Sequence, residues 1–438
     1  MLRQATIATA LLTLTLLILP VGPAVSAGGK KRPPTGRRLT QLVTEYLEAD
    51  EAGRKEIRDR MDAEMAPLKS EAGIRLLRKN LLKAAKPGPK IELEGTHYFY
   101  NDGETPRGKY IARGPRKADT LWIGLHGGGV GSGEAESMAS GMGGGGWFWI
   151  FPEVLEKTER GWTDSGTDKF VLDLIDAARR TIGIDPNRVY VTGHSMGGYG
   201  AWTLGAHFSD VFAGSASYAG APSPIYTGPD LQTVLELEEG IIPSYYNLPI
   251  LFFASLDDPL VTPEVSIFAN KELLAWKEKH PGGFNFKYME VNGRGHSAPA
   301  EGYLPSQQWV ASHDRVPRPK KFLWQPVLDW KKHHYWIYLE KPVHGTVFQF
   351  EAKDDNVIEI SILDGSRDFE GLSLLLGEPL VDLSKEVTVI YDGNEVFRGK
   401  VERTLSTLLL TLPRRDPDLL FDARIDLPPL PKVEKKQP

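Results

Sequence analysis

Residues 189–198 read Val-Tyr-Val-Thr-Gly-His-Ser-Met-Gly-Gly. An apolar, β-prone run breaks into Gly-x-Ser-x-Gly and passes into small, helix-compatible residues. That order predicts a sharp strand-to-helix turn at the end of a parallel strand, with the side chain of Ser195 pushed out at its apex. Gly193 and Gly197 flank the turn, where a Cβ would strike the neighbouring strand or helix. In a chain with 45 glycines the pentapeptide alone arises easily by chance. Its weight comes from its flanks and from the residues that follow it.

Around this turn, residues 91–314 alternate between strand and helix signals. Strands are predicted at 96–100 and 110–113, an antiparallel opening, and then at 120–125, 147–151, 189–192, 213–219, 249–254 and 286–291. A helix is predicted at 168–181. Strands separated by helical segments imply an α/β fold, a mostly parallel sheet with helices on both faces. Functional groups in such sheets gather at the carboxyl ends of the strands, where the serine turn lies.

The flanks read differently. Within 38–85, Leu39, Leu42, Val43, Tyr46 and Leu47 form one apolar stripe at helical spacing, and Ile74, Leu76, Leu77, Leu81 and Leu82 form another. Lys86-Pro87-Gly88-Pro89 ends the pattern. These helices are expected to pack on the central domain as a stabilising extension or a lid without chemistry. Pro317, Pro319, four basic residues before Lys331 and Trp324-Gln325-Pro326 mark 315–332 as a linker or boundary. Beyond it the signals are all β: 343–350, 357–362, 372–376, 387–391 and 395–398, with Asp392-Gly393-Asn394 as a hairpin turn. A small sandwich is expected there. The chain therefore divides into 1–27, a helical extension at 28–90, an α/β domain at 91–314, and a linker with a β domain at 315–438.

Residues 1–27 have the layout of an export signal. Arg3 supplies charge, 7–19 is an apolar run too short for an ordinary membrane span, and Val25-Ser26-Ala27 offers a cleavage site before Gly28. A secreted or periplasmic protein without a membrane span after processing is expected. The chain has no cysteine, which excludes disulfides, a thiol nucleophile and cysteine-based metal sites. Residues 91–314 carry 28 acidic and 16 basic side chains, a field that repels phosphate backbones and argues against nucleic acid as a partner. His-Glu-x-x-His, an EF-hand loop, a P-loop and a dinucleotide fingerprint are all missing from the sequence, so no metal or cofactor is expected.

A serine hydroxyl needs a neighbouring base, and the base needs an orienting acid. Strand 249–254 is followed by Leu256-Asp257-Asp258-Pro259, and strand 286–291 by Gly293-Arg294-Gly295-His296. Serine, acid and histidine thus follow successive strands in the order this kind of turn requires. Asp258 is preferred as the acid because the Asp-Pro turn aims it back across the site, with Asp257 as its competitor. His194 is read as structural or as a cleft wall. His126-Gly127-Gly128-Gly129 fits a loop that donates backbone N–H groups to an oxyanion, with Gly127, Gly128 and the N–H of Met196 as donors. Trp147, Trp149 and Trp162 lie in segments that border the site, as core residues or as an aromatic binding wall.

On these motifs, with 185–198 as the longest, residues 91–314 resemble the α/β-hydrolase fold. They are similar to secreted esterases of the polyhydroxybutyrate-depolymerase and feruloyl-esterase type, and to the catalytic domain of prolyl-oligopeptidase-like peptidases. The resemblance covers about half the chain. It implies a serine hydrolase acting through Ser195, His296 and Asp258 on a small-molecule or polysaccharide-linked ester. The upstream propeller usual in the peptidases has no room here, and the elbow cysteine of dienelactone-hydrolase relatives is absent; both favour an esterase. A peptidase, or a binding protein with a vestigial hydrolase domain, are the alternatives.

Overall fold

The computed structural model of the chain describes residues 30–101, 104–227, 233–367 and 369–428. The predicted export segment lies outside them. Three helices come first: α1 (Gly36–Glu48), α2 (Glu51–Glu64) and α3 (Glu71–Ala85). Capping residues separate them. The Asp50 carboxylate accepts the Gly53 N–H at 2.8 Å, and the Ser70 hydroxyl accepts that of Gly73 at 3.2 Å. Each satisfies one donor that a first helical turn leaves without a partner.

The central sheet contains β1 (Thr96–Tyr100), β2 (Pro106–Arg113), β3 (Leu121–Leu125), β4 (Phe148–Pro152), β5 (Val189–His194), β6 (Gly214–Tyr218), β7 (Ile250–Ser255) and β8 (Phe286–Val291). Their order in space is β1-β2-β4-β3-β5-β6-β7-β8. The β1/β2 and β2/β4 pairs are antiparallel, and every later pair is parallel. Alternate strand residues feed two cores. Ile123, Val191 and Phe252 pack with α5 (Thr167–Thr181), α6 (Met196–His207) and α7 (Pro263–Lys279). Trp122, Tyr190, Leu251 and Phe253 point the other way, toward α4 (Ala135–Gly141) and α8 (Leu304–Val310). Helices on both faces explain why the strand sequences read as continuous apolar runs rather than alternating ones. Between β6 and β7 an antiparallel hairpin pairs Pro224–Thr227 with Thr233–Leu237.

The C-terminal region builds two further sheets from β9 (Lys321–Trp324), β10 (His333–His334), β11 (Ile337–Leu339), β12 (Val347–Ala352), β13 (Val357–Asp364), β14 (Leu372–Leu376), β15 (Val387–Tyr391), β16 (Asn394–Gly399) and β17 (Ala423–Asp426). One sheet runs β9-β12-β13-β15-β16 and the other β10-β11-β14-β17. Phe322, Phe350 and Ile360 of the first share one core with Ile337, Leu374 and Ile425 of the second, so the two are layers of a sandwich.

Three expectations need correction. The helices α1–α3 do not pack on the central sheet. Their leucines, including Leu39, Leu42 and Leu81, cluster with Leu405, Leu408, Leu409 and Leu412 around α9 (Leu405–Thr411), a helix inside the region read as all β. Periodicity shows that a stripe is apolar and leaves open which other stripe it meets. The segment 315–332 is not a free linker: it holds β9, and Arg315 is buried against Asp416 at 2.7 Å. Its prolines and cations looked linker-like because the carboxylates they meet lie far along the chain. The strand expected at 343–350 starts at Val347, since Pro342 and Gly345, at φ +72°, hold the preceding residues in a turn. Among the described residues no helix is long and apolar enough to cross a membrane.

Candidate active site

The turn after β5 is shaped by steric exclusion. A Cβ on Gly193 would lie 2.1 Å from the Gly197 carbonyl oxygen, and one on Gly197 would lie 2.0 Å from that of Leu125, at the end of β3. Only glycine fits either position. Between them Ser195 adopts φ +60° and ψ −125°. A side-chain-bearing residue in this region costs about 1–3 kcal/mol, so the surrounding structure must enforce it. The Ser195 N–H donates to the Tyr218 carbonyl at 2.9 Å, and its own carbonyl accepts the Tyr199 N–H at 3.0 Å. Ser195 is thereby anchored to β6 on one side and to the first turn of α6 on the other. The N–H of Met196 opens α6 beside it, where a helix has no carbonyl one turn back to accept it.

The structure brings Asp258 and His296 together. His296 Nδ1 lies 2.8 Å and 3.1 Å from the two carboxylate oxygens of Asp258. An ionised carboxylate only accepts, so Nδ1 carries the hydrogen and Nε2 of the neutral ring is left as a base. Asp258 is buried. Burial opposes its ionisation, but the N–H groups of Val261 and Leu260, at 3.0 and 2.9 Å, together with His296, hold its pKa below the ordinary carboxylate value.

Asp257, the competitor, has a different task. Its Oδ1 accepts the Ser255 hydroxyl at 2.5 Å and the N–H groups of Gly293 and Gly295 at 3.0 Å each. These bonds, the Ser255 hydroxyl first, lower its pKa to about 2. Asp257 therefore clamps the loop that carries His296, while Asp258 meets the imidazole itself.

His194, expected as structural or as a cleft wall, packs against His296. Its ring stands edge-on to that of His296, with centroids 4.9 Å apart. Burial, reinforced by the neighbouring His296, lowers its pKa to about 4, so it stays neutral against the base. The Ser195 hydroxyl makes no hydrogen bond among the described residues, so the acid–histidine half of the arrangement is formed and the serine–histidine half is open. Such contacts are often long before substrate binds.

The glycine loop after β3 is braced from beneath. His126 is fully buried, its Nε2 accepts the Val154 N–H at 3.2 Å, and its Nδ1 therefore donates to the Gly127 carbonyl at 2.8 Å. Trp162 donates its indole N–H to the His126 carbonyl at 3.2 Å. A Cβ on Gly127 would lie 3.1 Å from the Ser195 Cβ, which places this backbone against the serine. Gly128, at φ +143°, faces Ser132 and Gly133 instead, where a Cβ would lie 2.7 Å from a carbonyl oxygen. Of the oxyanion candidates, Gly127 and Met196 lie beside Ser195, and Gly128 follows one residue further along the loop.

A cavity of about 420 Å³ opens at Ser195. Met196, Tyr199, Pro222, Tyr226, Leu260 and Val261 supply apolar surface, and Glu159 and Arg160 supply charge. The aromatic-wall reading of the three tryptophans is corrected. Trp149 and Trp162 are buried in the two cores, and Trp147 packs on Trp122 at the amino edge of β4, at the other end of the sheet. Among the described residues no group of three or more histidines and carboxylates is placed to hold a metal ion.

The strand order, the covered sheet and the serine turn at its carboxyl edge define an α/β-hydrolase fold. No protein-family model matches the chain. A stretch of 52 residues, 12% of the chain, is 42% identical to poly(3-hydroxyalkanoate) depolymerase C of Paucimonas lemoignei and spans 13% of that protein's length. Similar solved structures include a thermostable esterase, at 20% identity over 50% of this chain and 63% of the other, with a TM-score of 0.37. A CE1 ferulic acid esterase from Anaeromyces mucronatus, in complex with ferulic acid, is 16% identical over 48% of this chain and 86% of its own, with a TM-score of 0.35. Acetyl xylan esterase from Aspergillus awamori is 14% identical over 49% and 98%, with a TM-score of 0.37.

Proposed function

We propose that the chain is an exported serine hydrolase of carboxylic esters. The observation that carries this reading is the Asp258–His296 pair, at the same edge of the sheet as a serine forced into a strained backbone conformation. His296 Nε2 takes the Ser195 proton as the hydroxyl oxygen attacks the ester carbonyl. The resulting oxyanion is held by backbone N–H groups of Gly127, Gly128 and Met196. Collapse expels the alcohol, which takes the proton back from His296 and leaves an acyl-serine. His296 then deprotonates a water molecule that attacks the acyl group, and the proton returns to Ser195 as the acid leaves. Asp258 stabilises the imidazolium in both steps without taking its proton. The cavity beside Ser195 would hold the substrate, and the local likeness to a poly(3-hydroxyalkanoate) depolymerase agrees with an ester bond as the target.

The test is hydrolysis of p-nitrophenyl acetate and butyrate by wild type and Ser195→Ala, beside a panel of fluorogenic peptides. Loss of turnover in the variant, on the order of 10⁶ in kcat, is expected. Undiminished ester cleavage by Ser195→Ala, or cleavage of peptides alone, overturns the reading. Export through residues 1–27 belongs to the same proposal, and an N-terminus at Gly28 in the exported protein would support it.

A further inference from the structure

A second cavity, of about 330 Å³, lies between the central fold and the C-terminal region, and the end of α3 adjoins it through the Ala85 carbonyl, which accepts from Nε of the lining residue Arg415 at 3.1 Å. It is bordered by the end of α5, the segment after α6, Lys331, and the residues following α9. Helix α5 runs back along the sheet, so this cavity sits at the amino edge, at the end opposite Ser195.

Its charges do not balance. Asp210 is met by Lys331 at 2.9 Å and by Arg414 at 2.7 Å. Asp416 is met by Arg315 at 2.7 Å, with Arg179 at 4.0 Å. Asp176 holds both Arg180 and Arg415. Asp173 holds Arg107 at 3.2 Å. Six cations and four carboxylates line the cavity, and one of the cations, Lys332, pairs with Glu51 beyond it, which leaves a surplus of one in a region where Asp210, Asp416 and Arg315 are almost wholly buried. A buried cation without its own counter-ion is costly unless an anion joins it.

The surplus has a focus. Arg179 reaches Asp416 only at 4.0 Å and the Pro186 carbonyl only at 3.4 Å, and its buried Nε has no partner among the described residues. His333, also on the cavity wall, has a buried Nε2 that is likewise unpartnered. Burial, followed by the charges of Arg414 and Lys331, holds His333 neutral. A planar guanidinium with free N–H groups, on a wall of surplus positive charge, is suited to grip two oxygens of one anion.

We infer that this cavity binds a small dianionic oxyanion, a phosphate, a sulfate or a short dicarboxylate, with Arg179 as its principal ligand. The anion would neutralise the junction between the hydrolase fold, the helical extension and the sandwich. The inference does not depend on the ester-hydrolase reading, because its readout is binding rather than turnover.

The experiment is calorimetric titration of the full chain with inorganic phosphate, sulfate and malonate, against sodium chloride at matched ionic strength, with Tm followed in parallel. Saturable binding of one equivalent of at least one dianion, with a Tm rise that chloride does not give, is expected. Competition between the dianions identifies one shared site, and their ranking identifies the preferred chemistry. Arg179→Met should weaken binding by about tenfold or more. Arg415→Gln, at a half-buried position, should weaken it in the same direction and serves if Arg179→Met fails to fold. Absence of saturable binding by all three dianions in wild type, or unchanged affinity in a folded Arg179→Met protein, overturns the inference.

Discussion

Asp257 and Asp258 are adjacent and chemically identical, and the structure gives them different work. Asp258 orients the imidazole, whereas Asp257 ties down the loop that carries it. Asp258→Asn should keep the fold yet lower kcat by about 10³–10⁴, since an amide no longer holds the required tautomer. Asp257→Ala should leave the imidazole partner in place and lower kcat by about tenfold, with the larger effect on loop order, read as faster amide exchange at 293–295. Equal losses in both variants on p-nitrophenyl butyrate would contradict this division. Gly197→Ala puts a methyl group 2.0 Å from a backbone oxygen and should yield no soluble folded protein, as judged by circular dichroism. The serine turn was legible because its constraint is local: a glycine on either side of one residue. The choice between the two aspartates was not, since it depends on where Gly293, Gly295 and His296 arrive from 35 or more residues away.

At the scale of elements, the parallel strands and α5 could be read from hydrophobic runs and helical spacing, because each buries a face of its own. The partners of the outer elements could not be read this way. The stripe on α1 and α3 is completed by leucines of α9, more than 300 residues later in the chain. Leu81 is fully buried in that cluster. Leu81→Ala is therefore expected to destabilise the protein by about 2–5 kcal/mol in urea unfolding, although it lies far from Ser195 in the sequence and in another core. Ester turnover at low denaturant should be unchanged. A loss below about 1 kcal/mol would show that the helices contribute little to the folded state.

Over the whole molecule, buried histidines set the response to acid. Burial lowers the pKa of His194 and His334 to about 4 and that of His207 to about 3. Between about pH 6.5 and 4 the unfolded chain takes up protons that these folded side chains refuse, so their contribution to stability is complete above about 6.5 and is lost as pH falls. Asp257 acts in the same sense further down, between about pH 4 and 2. Asp173 and Glu238, raised by burial, oppose this above about pH 4. A Tm that falls steadily from about pH 7 to 4.5 is expected, and a Tm constant over that range would contradict the histidine account. The sequence by itself determined the α/β-hydrolase fold, the position of the serine turn and the order of acid and histidine after it, because these follow from periodicity and from steric rules that act within a few residues. Only the tertiary structure decided which aspartate meets His296, that His194 stands against it, that the tryptophans are core, and that the helical extension and the β sandwich meet the catalytic fold around a buried excess of positive charge. Those outcomes are contacts between residues tens to hundreds of positions apart, and burial alone turns such contacts into selective charges, shifted pKa values and packed faces.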